Sequence, residues 1–290
     1  MAQPYMLNCR GKLLDLSAPQ VMGILNVTPD SFSDGGLYQG LDAALEQAGR
    51  MLAEGASIID VGGYSSRPGA ADVSVGEELD RVGPVCERIL AEYPEAIISV
   101  DTFRPEVAKP LLEAGVHIIN DISAGTALGQ GEIGKPGMME VLQGYPDVPY
   151  VMMHMQGNPA TMQDQPAYNN VVEEVSAYLV ERVNTARSLG LRDLIIDPGF
   201  GFGKTQLHNY QLFGALGQFC QMGVPVLVGI SRKSMLYRFL EVKPTEVLEV
   251  ATALHFQAIL AGAAILRVHD VKPVAQAIRL YEYMRAHGVI

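Results

Sequence analysis

A (β/α)₈ TIM barrel in a single α/β domain is the fold class that this chain predicts, on three observations. Eight short apolar runs, each ending in or beside a polar residue, occupy residues 21–26, 58–62, 97–101, 118–121, 150–154, 194–197, 226–231 and 265–269. Helical or glycine-rich segments separate them, which is the alternation of a parallel barrel. The runs are continuous rather than alternating, as expected of strands buried on both faces. A length of 290 residues with 48% hydrophobic content suits one barrel with a large core. A doubly wound open sheet is the competing arrangement.

Residues 1–20 precede the barrel count and are expected to form an N-terminal extension, with a short hairpin over 7–16 that turns near Gly11 and closes the barrel floor. Residues 21–290 are assigned to the barrel itself. Helical spacing is clearest at 41–54, 75–92, 105–114, 171–189, 247–260 and 271–285, and Gly55, Gly115 and Gly190 stand where C-caps belong. Segments 124–142 and 209–219 carry many glycines and make the weakest helices. The run Leu194-Ile195-Ile196-Asp197 is the most informative strand, because Pro198 and the glycines after it forbid continuation and leave Asp197 at a sheet edge.

A net charge of −11 argues against a nucleic-acid partner, which would require a basic face, so any anionic ligand must be met by local cations. Cys9, Cys86 and Cys220 are isolated, and without a CxxC pair they are expected to be reduced and structural. The N-terminus lacks a basic start followed by an apolar core, and no apolar stretch reaches 18 residues. These features predict a soluble cytoplasmic protein with no membrane partner.

In such a barrel the strand C-terminal ends share one mouth, so Asn26, Asp101, Asn120, His154, Asp197, Lys233, Arg267 and His269 should converge from across the chain. Two long polar loops, 27–36 and 62–69, follow the first two strands and have the make-up of mobile lids. Arg232, Lys233, Arg267 and His269 follow the last two strands, where barrels commonly bind phosphate, and Ser234 opens a helix whose free N–H groups favour an anion. Asp101, Asn120 and Asp197 would offer acceptors and an amide to a flat heterocycle rich in N–H donors.

The motifs GILNVTPDSFSDGG (23–36), DVGGYSSRPG (60–69), SVDTFR (99–104), NDIS (120–123), MHMQGNP (153–159), DPGFGFGK (197–204), GISRKS (229–234) and RVHDV (267–271) occur in that order. Together they resemble the dihydropteroate synthases, pterin-binding enzymes of the folate pathway targeted by sulfonamides, over roughly residues 20–280. The resemblance implies condensation of 7,8-dihydropterin-6-ylmethyl diphosphate with 4-aminobenzoate, giving 7,8-dihydropteroate and diphosphate, assisted by Mg²⁺. It implies that Asp101, Asn120, Asp197 and Lys233 hold the pterin, Asn26 the metal, and Arg67, Arg267 and His269 the diphosphate. Phe32, Ser66, Pro68, Phe202 and Ser234 would shape the 4-aminobenzoate slot, and the C-terminal helices imply a homodimer.

Some positions depart from the family pattern. Tyr64 replaces a common Glu, and Ser66 replaces the usual Thr, a lost methyl worth about 0.8 kcal/mol if buried. Glu249 and Val250 stand where small residues are expected, which bears on the homodimer. Two rival functions differ in what they need. A methyltransferase passing a methyl group to a corrinoid protein would share the pterin acids but has no use for the DSFSDGG lid. A noncatalytic pterin-binding module need not keep Asn26, Arg67, Arg267 and His269, and all four are present.

Overall fold

A computed structural model describes residues 5–27, 36–65, 73–126, 136–159 and 161–290. An antiparallel hairpin, β1 (Met6–Cys9) and β2 (Lys12–Asp15), comes first. Its two central residues, Arg10 and Gly11, both have positive φ (55° and 87°), the backbone of a turn whose twist matches that of its strands. Eight parallel strands follow: β3 (Gln20–Asn26), β4 (Ile58–Gly62), β5 (Ile97–Asp101), β6 (Ile118–Asp121), β7 (Tyr150–Met153), β8 (Leu194–Asp197), β9 (Leu227–Val228) and β10 (Ile265–Val268). They are hydrogen-bonded in the order β8-β7-β6-β5-β4-β3-β10-β9, and a parallel bridge from Ile196 to Val226 brings β8 back against β9. The result is a nearly closed barrel.

Helices wrap the outside: α1 (Gly36–Glu54), α2 (Val75–Glu92), α3 (Pro105–Ala114), α4 (Met138–Leu142), α5 (Val171–Ser188), α6 (Gln206–Gly214), α7 (Leu216–Phe219), α8 (Ser234–Leu240), α9 (Leu248–Ala261) and α10 (Val271–Ala286). Their ends follow the local chemistry. Ser74 and Glu77 form a reciprocal capping box before α2, and Asn170 caps α5 by accepting from Val172 and Glu173 N–H groups. Gly55, Gly115 and Gly190 adopt φ of 106°, 107° and 87°, as C-terminal turns of this kind require. The two glycine-rich segments do shorten their helices: α4 has five residues, and α6 gives way to α7 at Ala215, where φ is −94° and ψ is 6°. Strand β9 is also shorter than the apolar run 226–231 suggests, and beyond it the backbone reaches φ of 55° at Arg232.

Period-two geometry divides the apolar residues into two cores. Inward positions Met22, Ile58, Ile97, Ile118, Val151, Ile195, Leu227 and Ile265 pack inside the barrel with Leu7, Cys9, Leu14 and Leu16 of the hairpin. Outward positions such as Ile59, Val61, Ile98, Val100, Ile119 and Leu266 pack against the helices. Each such side chain contributes about 1.5–3 kcal/mol when fully buried. The interior core fills only the end of the barrel where the strands begin, so the other end is left for polar residues.

The cysteines serve packing. Burial raises the Cys9 thiol to about 12 and that of Cys220 to about 11, and it raises Cys86 as well. All three are free thiols, protonated at neutral pH. Among the described residues no helix is long and apolar enough to cross a membrane.

Candidate active site

Two residues beyond the apolar interior layer, the inward positions of five strands turn polar: Asp60, Ser99, Asn120, Asp197 and Arg267. One further step along β5 comes Asp101. Arg267 ties this layer together: its Nε donates to Asp60 Oδ2 and its Nη2 to Asp101 Oδ2, both at 2.6 Å. Asn120 Nδ2 donates to the same Asp60 oxygen at 3.1 Å. Asn26, the last residue of β3, flanks Gly62 together with Asp101. A Cβ placed on that glycine would lie 3.8 Å from both Asn26 Oδ1 and Asp101 Oδ2.

Across the mouth, Asp197 accepts from the Gly199 N–H at 2.7 Å. Lys233 Nζ donates to the Phe200 carbonyl and lies 4.6 Å from the centre of the Phe202 ring. Gly229 separates the two halves. A Cβ there would stand 3.9 Å from Lys233 Nζ, 4.0 Å from Asp197 Oδ2 and 3.9 Å from Arg267 Cβ, so the absent side chain leaves the floor between acid and cations open. Ser231 Oγ accepts from the His269 N–H at 3.2 Å and lies equally close to His269 Nδ1.

Burial governs the electrostatics. It raises the Asp101 carboxyl to about 7 against the pull of Arg267, although the side chain keeps 24% exposure. It raises Asp197 too, against the opposing charge of Lys233. It lowers Lys233 to about 8, with Asp197 working the other way. Burial also disfavours the charged form of Arg267, but Asp60 and Asp101 outweigh it and hold the guanidinium above its ordinary value. Fixed acids and fixed cations therefore face one another across a space with planar recognition groups on both sides.

The structure thus gathers Asn26, Asp101, Asn120, Asp197, Lys233, Arg267 and His269 at the ends of the strands. Phe202 lies in the loop after β8 beneath Lys233. Ser234 opens α8 and lines a cavity of about 220 Å³ with Lys204, Met235, Arg238 and Gln163. Phe32, Ser66, Arg67 and Pro68 lie outside the described residues. Two expected members are engaged in other work. Arg232 is paired with Asp270 at 2.7 Å and 3.2 Å. His154 is bonded through Nδ1 to Lys204 Nζ at 2.9 Å, and burial beside that ammonium lowers its pKa to about 2, so its imidazole is neutral.

Sequence reasoning passed over Asp60 and Lys204. Asp60 interrupts the run 58–62 at an inward position, and a carboxylate inside an apolar strand must have a buried partner; that was the available signal. Lys204 is buried and donates to the carbonyls of Gly199 and Phe202 at 2.9 Å and 3.0 Å, which shapes the loop that presents Phe202. Tyr64 packs edge-on against Phe103 at 5.2 Å, with the Arg104 guanidinium 4.9 Å from its ring centre.

Acids and cations converging at the C-terminal mouth of a parallel barrel mark an enzyme site, and residues 22–269 match the family described as pterin binding enzymes, to which this chain belongs. The dihydropteroate synthase of Escherichia coli strain K12 is 48% identical over 278 residues, 95% of each chain. The Yersinia pestis dihydropteroate synthase, solved with a sulfonamide drug complex, superposes with a TM-score of 0.87 at 44% identity, covering 97% of this chain and all of that one. The Xanthomonas albilineans dihydropteroate synthase with 4-aminobenzoic acid gives 0.88 at 42% identity, over 98% and 99% of the two chains. Within its family this chain stands with the dihydropteroate synthases, transferases that condense a pterin with 4-aminobenzoate.

Proposed function

We propose that Asp101, Asn120, Asp197 and Lys233 hold the pterin of 7,8-dihydropterin-6-ylmethyl diphosphate, while Arg267 and His269, with Arg67, receive its diphosphate. Phe202 and Ser234, with Phe32, Ser66 and Pro68, bind 4-aminobenzoate, and sulfonamides compete for that slot. The observation that carries this reading is the arrangement of charges: Asp197, Lys233 and Arg267 meet around Gly229, and Arg267 reaches on to Asp101 at 2.6 Å. Carboxylates suit the N–H-rich edge of an amino-pyrimidinone.

An aniline nitrogen is a weak nucleophile, so the reaction begins with the substrate. The methylene carbon–oxygen bond breaks, the diphosphate leaves with the electron pair, and the electron-rich pterin spreads the resulting positive charge. Asp101 and Asp197 are fixed negative charges that favour this cation as it forms. The aniline lone pair then forms the carbon–nitrogen bond, and the acidic anilinium loses its proton without a tuned general base. Arg267 stays charged throughout; residues 28–35 and 66–69 of the two loops expected to act as lids lie outside the described residues.

Asn26 Oδ1, beside Asp101, is the hard oxygen donor that fits Mg²⁺, an ion that takes few protein ligands and keeps water and phosphate oxygens for the rest. When bound, Mg²⁺ supplies charge neutralisation for the diphosphate.

The test is direct: purified protein with the pterin diphosphate, 4-aminobenzoate and Mg²⁺ should release diphosphate in step with dihydropteroate. Methyl transfer to a corrinoid acceptor, or binding without turnover, would refute the reading. A pH profile tests the electrostatics. Protonating Asp101 removes an acceptor as pH falls through about 7, and deprotonating Lys233 removes a cation as pH rises through about 8. We expect kcat/KM to be bell-shaped with its maximum between these values, and Lys233→Arg to move only the alkaline limb upward. A profile flat from pH 6 to 9, on the order of the range these two groups span, would contradict it.

The free thiols support a reducing, cytoplasmic setting. Exposed Leu248, Val250, Leu260, Leu280 and Tyr283 on the mutually packed α9 and α10 support a homodimer through those helices, Glu249 notwithstanding. Replacing Val250 and Leu280 together by Glu should convert dimer to monomer in analytical ultracentrifugation. A wild-type chain that sediments as monomer would remove the interface.

A further inference from the structure

Asp60 is fully buried in the barrel, and one of its oxygens does all its visible bonding. Oδ2 accepts from Arg267 Nε at 2.6 Å and from Asn120 Nδ2 at 3.1 Å, whereas Oδ1 has no partner among the described residues. A buried carboxylate can pair with a side chain for the fold alone, as Glu78 does with Arg104 at 2.9 Å. This one bonds to two side chains that belong to the pocket. Its chemistry also selects their geometry. The two ends of an Asn amide are nearly the same shape, so packing alone does not choose between them. A carboxylate accepts and cannot donate, and it tolerates only Nδ2 facing it. Asn120 Oδ1 and the second Nδ2 hydrogen must then face away from Asp60, an acceptor and a donor side by side. That pair matches a ring nitrogen next to an exocyclic amino group. Arg267 is fixed in the same manner, because Asp60 at Nε and Asp101 at Nη2 set the plane of its guanidinium.

We propose that Asp60 is a positioning residue for pterin recognition: without touching the substrate, it sets one amide orientation of Asn120 and one plane of Arg267. The proposal rests on the assignment of Asn120 to the pterin and of Arg267 to the diphosphate beside it. The decisive experiment is a double-mutant cycle read by calorimetric titration with 6-hydroxymethylpterin, which lacks the diphosphate and cannot react. Asp60→Asn, of equal size, weakens pterin binding at least tenfold, and Asn120→Ala does so as well. In the double variant the combined loss falls at least fivefold short of the product of the two single losses, because Asp60 acts partly through Asn120. In steady-state kinetics, KM for 4-aminobenzoate changes less than twofold in Asp60→Asn, a split that general loss of structure would not produce.

Independent, multiplicative losses overturn the positioning role while leaving the pocket assignment standing. If Asn120→Ala binds the pterin as tightly as the unaltered chain, the pocket assignment itself falls and takes the proposal with it. Should Asp60→Asn not fold, the unaltered protein provides a second measurement. The side-chain amide protons of Asn120, identified by their loss in Asn120→Ala, exchange with water at least tenfold more slowly than exposed Asn side chains before any pterin is added. Exchange at the exposed rate overturns the proposal.

Discussion

Asp197→Asn should leave a folded barrel whose turnover is reduced on the order of 10²–10³-fold, the scale seen when one fixed charge or donor at a developing charge is removed. The substitution changes little in shape. Asparagine can still accept from the Gly199 N–H through Oδ1, the bond that carboxylate oxygen makes at 2.7 Å. Nδ2 then replaces Oδ2, the oxygen on the Gly229 side near Lys233. A donor now faces an ammonium and the N–H edge of the pterin, so the ground state loses a hydrogen-bond partner and the cation loses a countercharge. Both kcat and pterin affinity should fall, with kcat falling further because only the transition state carries the full positive charge. Diphosphate release by the purified variant, beside its circular dichroism spectrum, is the measurement. Unchanged turnover in a folded Asp197→Asn protein would remove Asp197 from the mechanism.

How much of this site was legible before any coordinates depends on where each residue sits in its strand. Asp101 and Asp197 end apolar runs, and a polar residue at the end of a buried parallel strand can hardly avoid the barrel mouth. Arg267 and Asn120 follow by the same parity. Asp60 sits in the middle of its run, where local pattern marks it only as an anomaly, and its partners Asn120 and Arg267 lie 60 and 207 residues away. No local rule supplies such a pairing. His154 failed in the opposite direction. It lies just beyond β7, and Lys204, 50 residues later, turns back and bonds to its ring. Arg232 likewise had the composition of an anion binder, and its pairing with Asp270, 38 residues later, is a contact that the local pattern does not supply. Strand number and helix placement were local properties and could be predicted; which buried charge meets which is a property of the closed barrel.

The loop after β8 illustrates how that closure constrains single atoms, and Gly199→Ala is expected to be the most destabilising small substitution in the site. Gly199 has φ of 72°, and a Cβ there would lie 1.8 Å from the His154 carbonyl oxygen and 3.0 Å from its carbon. Neither atom can rotate away, since both are backbone. The His154 N–H donates to the Asp197 carbonyl at 3.0 Å, and Lys204 Nζ reaches the His154 and Gly199 carbonyls at 3.3 Å and 2.9 Å. Relief of the clash must therefore separate β7 from the loop that holds Asp197 and Phe202. Left-handed strain contributes about 1–2 kcal/mol and overpacking about 1–3 kcal/mol, so a loss near 4 kcal/mol is expected. Gly190→Ala is the control. Gly190 has a similar φ of 87° with nothing within 4 Å of the added atom, and it should lose only the strain. Urea midpoints of the two variants separate the effects, and equal losses would mean that the Gly199 loop does not pack against β7. Because the close approach that seats the loop also aims Asp197 into the mouth, Gly199→Ala should lose turnover alongside stability, whereas Gly190→Ala should keep its turnover.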